Sequence, residues 1–162
     1  GVRERIESIT SSLGVRHEYL ESSATRFWNL FAECLEKAVH PCGRCKTLME
    51  EVLLRHARET GAEVLVYGDL LPIASESVSL RSEILVVRLP AALALDKQDC
   101  IHIAEEAGYR WSPYTYGCPM LKQIHRAHPH TRYTSIQRIL RKTYAGVLTP
   151  SQSLRYIRSI MG

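Results

Sequence analysis

The sequence predicts an α/β domain with a mostly parallel sheet, followed by a basic helical extension. Two short and continuously apolar runs, residues 62–69 and 83–90, have the composition of buried parallel strands. Amphipathic helical patterns precede the first run and follow the second, as in chains that alternate strands with helices. The last 56 residues contain no Asp or Glu, which marks their two helical patterns as a separate basic unit.

The first third of the chain is predicted to hold three helices and one strand. Residues 2–13 repeat apolar side chains at helical spacing, and Gly14 is a typical helix stop. Residues 15–22 alternate in polarity, which predicts a half-buried strand. The apolar spacing in residues 24–39 and in residues 46–61 predicts two further helices.

Three more helices are predicted after the apolar strands. Residues 96–108 form a helical pattern, and Asp96 is a suitable cap for its first turn. Residues 134–146 and 149–162 are the two basic helices, the second of them capped by Thr149. Ligands of parallel sheets bind at the carboxyl ends of the strands, which directs attention to Asp69.

Composition favours a single compact domain in a reducing compartment. The 162 residues are 45% hydrophobic, which is enough for a substantial core. No apolar run is long enough to span a membrane, and no secretory signal begins the chain. An odd number of cysteines, five, in a chain of this size favours a cytoplasmic protein with reduced thiols.

The charges are segregated along the chain. Nine basic and no acidic side chains lie after Glu106, whereas the first 106 residues carry 12 basic and 17 acidic ones. A cationic surface of this kind attracts polyanions, and nucleic acid is the usual partner, although a solvated basic surface is the simpler alternative. The residues expected to contact an RNA backbone are Arg126, Arg132, Arg138, Arg141, Lys142, Arg155 and Arg158.

Three of the five cysteines are candidate ligands or nucleophiles. Cys42 and Cys45 have the two-residue spacing of metal ligands, and Cys118 lies in a Gly-Cys-Pro turn. Cys34 and Cys100 lie on apolar helix faces, where a core role is expected.

Four interpretations of these thiols stay open on the residues alone. With His40 they could bind Zn²⁺, and without it they could hold an iron–sulfur cluster with one open iron. They could also carry and resolve a persulfide, with Arg44 and Lys46 lowering the thiol pKa values. The simplest alternative is a pair of structural thiols.

The order of these motifs resembles the PP-loop ATP pyrophosphatase superfamily, in particular the enzymes that thiolate tRNA. The segments "VLVYGDLLPIASES" and "RLPAALALDKQD" are similar to segments of the tRNA 4-thiouridine synthetases, and the Cys-x-x-Cys with a distant third cysteine resembles the tRNA 2-thiolation enzymes. The resemblance implies a Rossmann-like parallel sheet flanked by helices, of the adenine nucleotide alpha hydrolase type, over residues 1–126. Residues 127–162 would be the basic extension.

The phosphate-binding signature of that superfamily, Ser-Gly-Gly-x-Asp-Ser, is absent from this chain. Because backbone N–H groups of such a loop hold the phosphates, the chain alone is not expected to adenylate a substrate. We therefore expect the α/β unit to be incomplete at its N-terminus, or the loop to come from another chain, or the nucleotide site to have decayed.

The resemblance implies an ATP-dependent tRNA sulfurtransferase that works in two steps. A base carbonyl oxygen is adenylated with ATP and Mg²⁺, and sulfur held at Cys42, Cys45 and Cys118 then displaces AMP. In the related 2-thiolation enzymes three cysteines hold a [4Fe-4S] cluster. The residues expected at the nucleotide end are Gly68, Asp69, Ser75 and Lys97. The implied partners are tRNA, a sulfur-donor protein and a second copy of the chain.

Two other functions compete with the enzyme. The chain could be a zinc-stabilised RNA-binding module without catalysis, or a subunit that depends on a separate PP-loop chain. Two other parts of the chain are expected at a binding surface. The histidine-rich segment 125–132 is expected as an RNA-facing loop, and Trp111 is expected to contact the substrate.

Overall fold

The structure is a computed structural model and describes residues 2–70, 77–109 and 116–162. Ser75 and Trp111 lie outside these residues. The described chain forms eight helices and three strands. They are α1 (Val2–Ser12), α2 (Ala24–Glu36), α3 (Cys42–Glu59), β1 (Val64–Tyr67), β2 (Val78–Arg81), β3 (Ile84–Arg88), α4 (Leu89–Ala92), α5 (Lys97–Glu106), α6 (Pro119–Ala127), α7 (Thr131–Tyr144) and α8 (Pro150–Met161).

The three strands form one mixed sheet in the order β1-β3-β2. β1 and β3 are parallel, with Val64 opposite Leu85, so the predicted α/β class and both apolar strands are confirmed. β2 was not predicted, and it runs antiparallel to β3. Ser82 and Glu83 join the two strands with φ values of 49° and 67°, the geometry of a two-residue hairpin turn. Such turns usually contain Asn-Gly, and without that dipeptide the segment carries no hairpin signal.

The two faces of the sheet differ in burial. α3 packs against one face, where Ile84 and Val86 are only 3% and 2% exposed. The opposite face carries Val66, Val78 and Leu80, all of which are exposed. The carboxyl end of β1 therefore lies beside α3, and α3 supplies the first cysteines of the candidate site.

The helices bury two apolar clusters. α2 and α6 enclose Phe31, Cys34 and Ile124, which confirms the core role of Cys34. The helices α7 and α8 pack on each other through a second cluster that also receives Tyr116, and its buried members are Ile139, Leu148, Tyr156 and Ile160. Cys100 on α5 is half-buried.

The helix caps follow the sequence closely. Asp96 and Asp99 form a reciprocal capping box at the start of α5, as the position of Asp96 predicted. Thr149 and Gln152 do the same for α8. None of the described helices combines the length and the apolar composition needed to cross a membrane.

The strand predicted over residues 15–22 is wrong. These residues have no regular structure, and their alternation has another cause. His17 Nδ1 lies 2.9 Å from the Thr10 hydroxyl, and Tyr19 donates a hydrogen bond of 3.3 Å to the Arg3 carbonyl. The alternating side chains therefore fold back on α1 instead of pairing with another strand.

Two helix starts also differ from the sequence-based prediction. α3 begins at Cys42 instead of residue 46, because Pro41 occupies the N-cap position and supplies the first helical carbonyl. Cys118 caps a helix, α6, that the Gly-Cys-Pro turn signal had obscured. The predicted boundary between residues 126 and 127 falls in the last turn of α6.

Candidate functional site

The structure brings Cys42, Cys45 and Cys118 to the wall of one cavity of about 700 Å³. Cys42 and Cys45 lie one turn apart at the start of α3, so their side chains point to the same side. Cys118 is the N-cap of α6, and its Sγ accepts a hydrogen bond of 3.5 Å from the Leu121 N–H. The starts of two helices, α3 at Cys42 and α6 at Pro119, thus meet at one site although they are 77 residues apart in sequence.

The remaining cavity wall is mainly apolar. α2 contributes Phe27 and Leu30, and α3 contributes Met49 and Leu53. Tyr67 closes the end formed by β1. A volume of this size and an apolar wall are typical of sites that enclose small organic groups, including flat heteroaromatic rings.

Asp69 and Lys46 form the polar end of the cavity. The Lys46 ammonium lies 2.8 Å from Asp69 Oδ2. The other carboxylate oxygen, Oδ1, is buried and accepts no hydrogen bond from the described protein. A buried carboxylate oxygen without a partner is costly, so this atom is suited to accept a hydrogen bond from a ligand or to bind a cation.

Burial raises the pKa of the Cys42 thiol, and the positive charge of Arg138 partly opposes this effect. Burial likewise raises the pKa of the Cys45 thiol, and the nearby Cys118 and Cys34 add to the increase. A helix start normally lowers a thiol pKa, but burial dominates here. Both thiols are therefore protonated at neutral pH in the free protein.

Arg44 and Lys46 do not activate these thiols as their sequence positions suggested. The Arg44 guanidinium is paired with Glu33 at 2.7 Å, and the Lys46 ammonium is paired with Asp69. The cation whose charge acts on Cys42 is Arg138 of α7, which is 96 positions away in sequence. No local pattern could have identified it, because the contact depends on how α7 packs.

His40 is engaged in a buried polar network. His40 Nε2 lies 2.8 Å from the Ser135 hydroxyl, and His125 Nε2 lies 3.0 Å from the same oxygen. His40 Nδ1 accepts a bond of 3.4 Å from the Cys42 N–H, so the Nε2–H of His40 donates to Ser135. The hydroxyl of Ser135 can then donate to His125. His40 is thus committed to Ser135 instead of to the zinc site proposed with the three thiols.

The predicted nucleotide-end residues are only partly assembled. Gly68 follows β1 directly, and a Cβ added there would meet no atom within 4 Å, so no close backbone approach requires glycine. Lys97 is the first residue of α5 and is half-buried. Ser75 lies outside the described residues, so its predicted role stays a prediction.

The seven basic candidates do not share one environment. Arg126, Arg138, Arg141, Arg155 and Arg158 are exposed, whereas Arg132 and Lys142 are half-buried. They are distributed over α6, α7 and α8.

The histidine-rich segment is not a free loop. His128 Nε2 lies 2.6 Å from the Leu35 carbonyl, and His130 Nε2 lies 3.0 Å from the Ala38 carbonyl. Both histidines therefore attach the start of α7 to the end of α2.

No group of three or more His, Cys, Asp or Glu side chains is arranged to hold a metal ion within the described residues. The three thiols share a cavity wall without converging on one metal position. All five cysteines are free thiols.

Comparison with known proteins adds one relative. The chain is 28% identical over 160 residues to the uncharacterized protein MJ1638 of Methanocaldococcus jannaschii. The match covers 99% of this chain and 60% of that protein, so the chain spans about three fifths of its relative's length. No family model matches the chain, and no solved structure matches it.

Proposed function

We propose that the intact protein transfers sulfur to a tRNA base in an ATP-dependent reaction, with the three cavity thiols as the sulfur-handling groups. The observation that carries the proposal is the convergence of Cys42, Cys45 and Cys118 on one apolar cavity whose other end is Asp69. The resemblance to the tRNA thiolation enzymes supplies the substrate class. The parallel pair β1 and β3 is compatible with part of a larger Rossmann-like sheet of that superfamily.

The residues present fit only part of an ATP site. Asp69, at the carboxyl end of β1, has a free oxygen that suits a nucleotide hydroxyl or Mg²⁺. The phosphate-binding loop is missing from this sequence, so the proposal needs it from a further segment or from another chain. The greater length of the archaeal relative is compatible with a further segment.

The thiols are arranged better for persulfide chemistry than for a closed metal site, because they do not converge on one position. Cys118 is exposed, whereas Cys42 and Cys45 are half-buried. Cys118 is therefore the thiol that a sulfur-donor protein can reach. We assign Cys42 as the thiol that resolves the intermediate, because the charge of Arg138 favours its thiolate.

The proposed reaction passes through a Cys118 persulfide and an adenylated base. A persulfide donor transfers a sulfane sulfur to Cys118. The carbonyl oxygen of the base attacks the α-phosphorus of ATP, and pyrophosphate leaves. The terminal sulfur on Cys118 attacks the activated carbon, and AMP leaves. The Cys42 thiol then attacks the Cys118 sulfur, which forms a Cys42–Cys118 disulfide and leaves the S–S electron pair on the sulfur of the base. A dithiol reductant restores both thiols.

The test is a single-turnover thiolation assay on the full-length protein with unmodified tRNA, ATP and a persulfide donor. Cys118→Ser is expected to abolish thionucleoside formation and to leave tRNA affinity unchanged. Cys100→Ser is the matched control and is expected to keep wild-type activity. Wild-type activity in Cys118→Ser, or an equal loss of tRNA affinity, would overturn the proposed role.

Metal analysis tests the chemistry of the same thiols. Anaerobically purified protein is assayed for iron, zinc and acid-labile sulfide. Metal-free protein with a donor-dependent mass increase of one sulfur supports the persulfide. Iron with sulfide, lost in Cys118→Ser, would replace the persulfide by a [4Fe-4S] cluster, and stoichiometric Zn²⁺ would favour the RNA-binding module.

The RNA-binding module is the second candidate function, because the acid-free segment exposes Arg126, Arg141 and Arg158. Arg126→Ala combined with Arg141→Ala is expected to weaken tRNA binding and to reduce its salt dependence. An unchanged salt slope would contradict RNA binding by this surface. We propose the reducing cytoplasm as the location of either activity, because the cysteines of the protein are free thiols.

A further inference from the structure

Four cations lie close together at the Asp69 end of the cysteine cavity, with Lys142 near the other three. Lys46 of α3 pairs with Asp69 at 2.8 Å. Lys142 of α7 is half-buried, and burial together with the charges of Arg138, Lys97 and Lys46 lowers its pKa. The charge of Asp69 acts on Lys142 in the opposite direction. These four cations, named here the cation cluster, come from three different helices.

Backbone contacts hold Lys97 close to Lys142 within the cation cluster. The Lys97 N–H donates to the Val147 carbonyl at 3.2 Å, and the Val147 N–H donates to the Lys142 carbonyl at 2.9 Å. The start of α5 is therefore attached to the end of α7. Arg138 lies one turn before Lys142 on the same side of α7, close to Cys42 and to the Tyr116 hydroxyl. The cluster thus extends from the thiols to Asp69.

The cation cluster carries more positive than negative charge. Within the described part of the chain, no carboxylate lies within 4 Å of the charged ends of Lys97, Arg138 or Lys142. Glu50 Oε1 lies 3.8 Å from the Lys46 ammonium and 3.7 Å from the Arg88 guanidinium, so its charge is shared between these two cations. Asp96, next to Lys97, is occupied by the capping box of α5. Like charges held together repel each other, and a bound anion would relieve this repulsion.

We propose that the cation cluster binds a phosphate group of a ligand whose other end enters the cysteine cavity. In the sequence-based interpretation, Lys97 was expected at the nucleotide end, and Arg138 and Lys142 on a separate RNA-binding surface. Lys46 was not expected to bind phosphate. The inference goes beyond the proposed function, because a phosphate site here does not depend on what chemistry the thiols perform. Both a nucleotide and an RNA backbone present this phosphate chemistry.

Calorimetry with two probes tests the site and separates the two sources. The probes are inorganic tripolyphosphate and a short single-stranded RNA without terminal phosphates. Lys97→Ala with Lys142→Ala is compared with Arg16→Ala with Arg58→Ala, which removes the same charge from exposed positions outside the basic C-terminal segment. The first pair is expected to weaken binding about tenfold, as loss of charge-assisted contacts implies, and the second pair less than about twofold.

The pattern of binding identifies the source of the phosphate. Tripolyphosphate binding that depends on Lys97 and Lys142 indicates a nucleotide. RNA binding alone, weakened more by the first pair than by the second, indicates a phosphodiester backbone. Equal effects of the two pairs on both probes, or no binding of either probe by the wild type, would overturn the proposal.

Lys142→Met separates a loss of binding from a loss of folding. Methionine keeps the apolar stem that packs in the half-buried site but removes the charge. Removing one of four mutually repelling cations is expected to leave the Tm of the free protein unchanged or higher. Tripolyphosphate is expected to raise the Tm of the wild type and not that of Lys142→Met. A lower Tm together with an intact ligand-induced shift would show that Lys142 is structural.

Discussion

The two faces of α7 differ in burial in a way that their side chains do not suggest. The inward face buries the polar side chains of Thr131 and Ser135, and Ser135 is fully buried. The outward face exposes two aromatic side chains, with Tyr133 67% and Tyr144 97% accessible. The orientation of the helix is set by hydrogen bonds from the inward face, together with the packing of Ile139 against α8.

Neighbouring basic residues of α7 differ in role because they lie on different faces of the helix. Arg138 and Lys142 follow the inward side towards the cavity, whereas the charge of Arg141 is not among those that shift the pKa of Cys42 or Cys45. Three basic residues within five positions are therefore not equivalent. Matched substitutions on the two faces should therefore differ in their effects.

The largest difference is expected between Ile139→Ala and Leu140→Ala. Ile139 is buried between α7 and α8, so its truncation leaves a cavity and should lower the free energy of unfolding by about 2–5 kcal/mol. Leu140 is exposed, and its truncation should change that free energy by less than about 0.5 kcal/mol. Urea denaturation measures both, and similar losses would mean that the assigned faces are wrong.

The next difference is expected between Ser135→Ala and Thr134→Ala. Removing the Ser135 hydroxyl leaves ring nitrogens of His40 and His125 without their partner in a buried position. The expected loss of unfolding free energy is about 1–3 kcal/mol. Thr134 is exposed and serves as the neighbouring control. A Ser135→Ala variant as stable as Thr134→Ala would show that the network contributes nothing.

The network also makes stability depend on pH. Burial, with the charges of Arg138 and His125, lowers the pKa of His40 from 6.5 to about 4. The unfolded chain therefore binds a proton between these values that the folded protein does not. Stability should be full above pH 6.5 and fall as the pH is lowered from 6.5 to 4.

The control for this pH dependence is His40→Asn. Its free energy of unfolding should change less than that of the wild type between pH 7 and pH 5, as measured by urea denaturation at both values. An identical pH dependence in the two proteins would assign the effect to other groups.

The smallest difference is expected in thiol reactivity. Arg138→Ala removes a charge that opposes the effect of burial, so the pKa of Cys42 should rise further. Iodoacetamide labelling, followed residue by residue with mass spectrometry, should then be slower at Cys42 at any fixed pH below that pKa. Arg141→Ala should leave the labelling profile unchanged. Equal profiles for both variants would remove Arg138 from the environment of Cys42.

The elements that were predicted correctly are those that depend on neighbouring residues, such as apolar strands and helix caps. The apolar strands β1 and β3 and the caps of α5 and α8 appear where the sequence placed them. The strand over residues 15–22 failed because alternating side chains found partners on α1. β2 escaped prediction because its short hairpin turn uses Ser82 and Glu83 without glycine.

Residue types and their spacing were enough to predict the α/β class, the three candidate thiols and the basic C-terminal segment. The identity of the cations that face those thiols depends on how the helices pack. A side chain's direction depends on how its helix packs, and local patterns do not contain that information. Arg44 and Lys46 are adjacent to the cysteines in sequence but are paired with acids. Arg138 is remote in sequence, yet the hydrogen bonds of Ser135 and the packing of Ile139 bring it to Cys42.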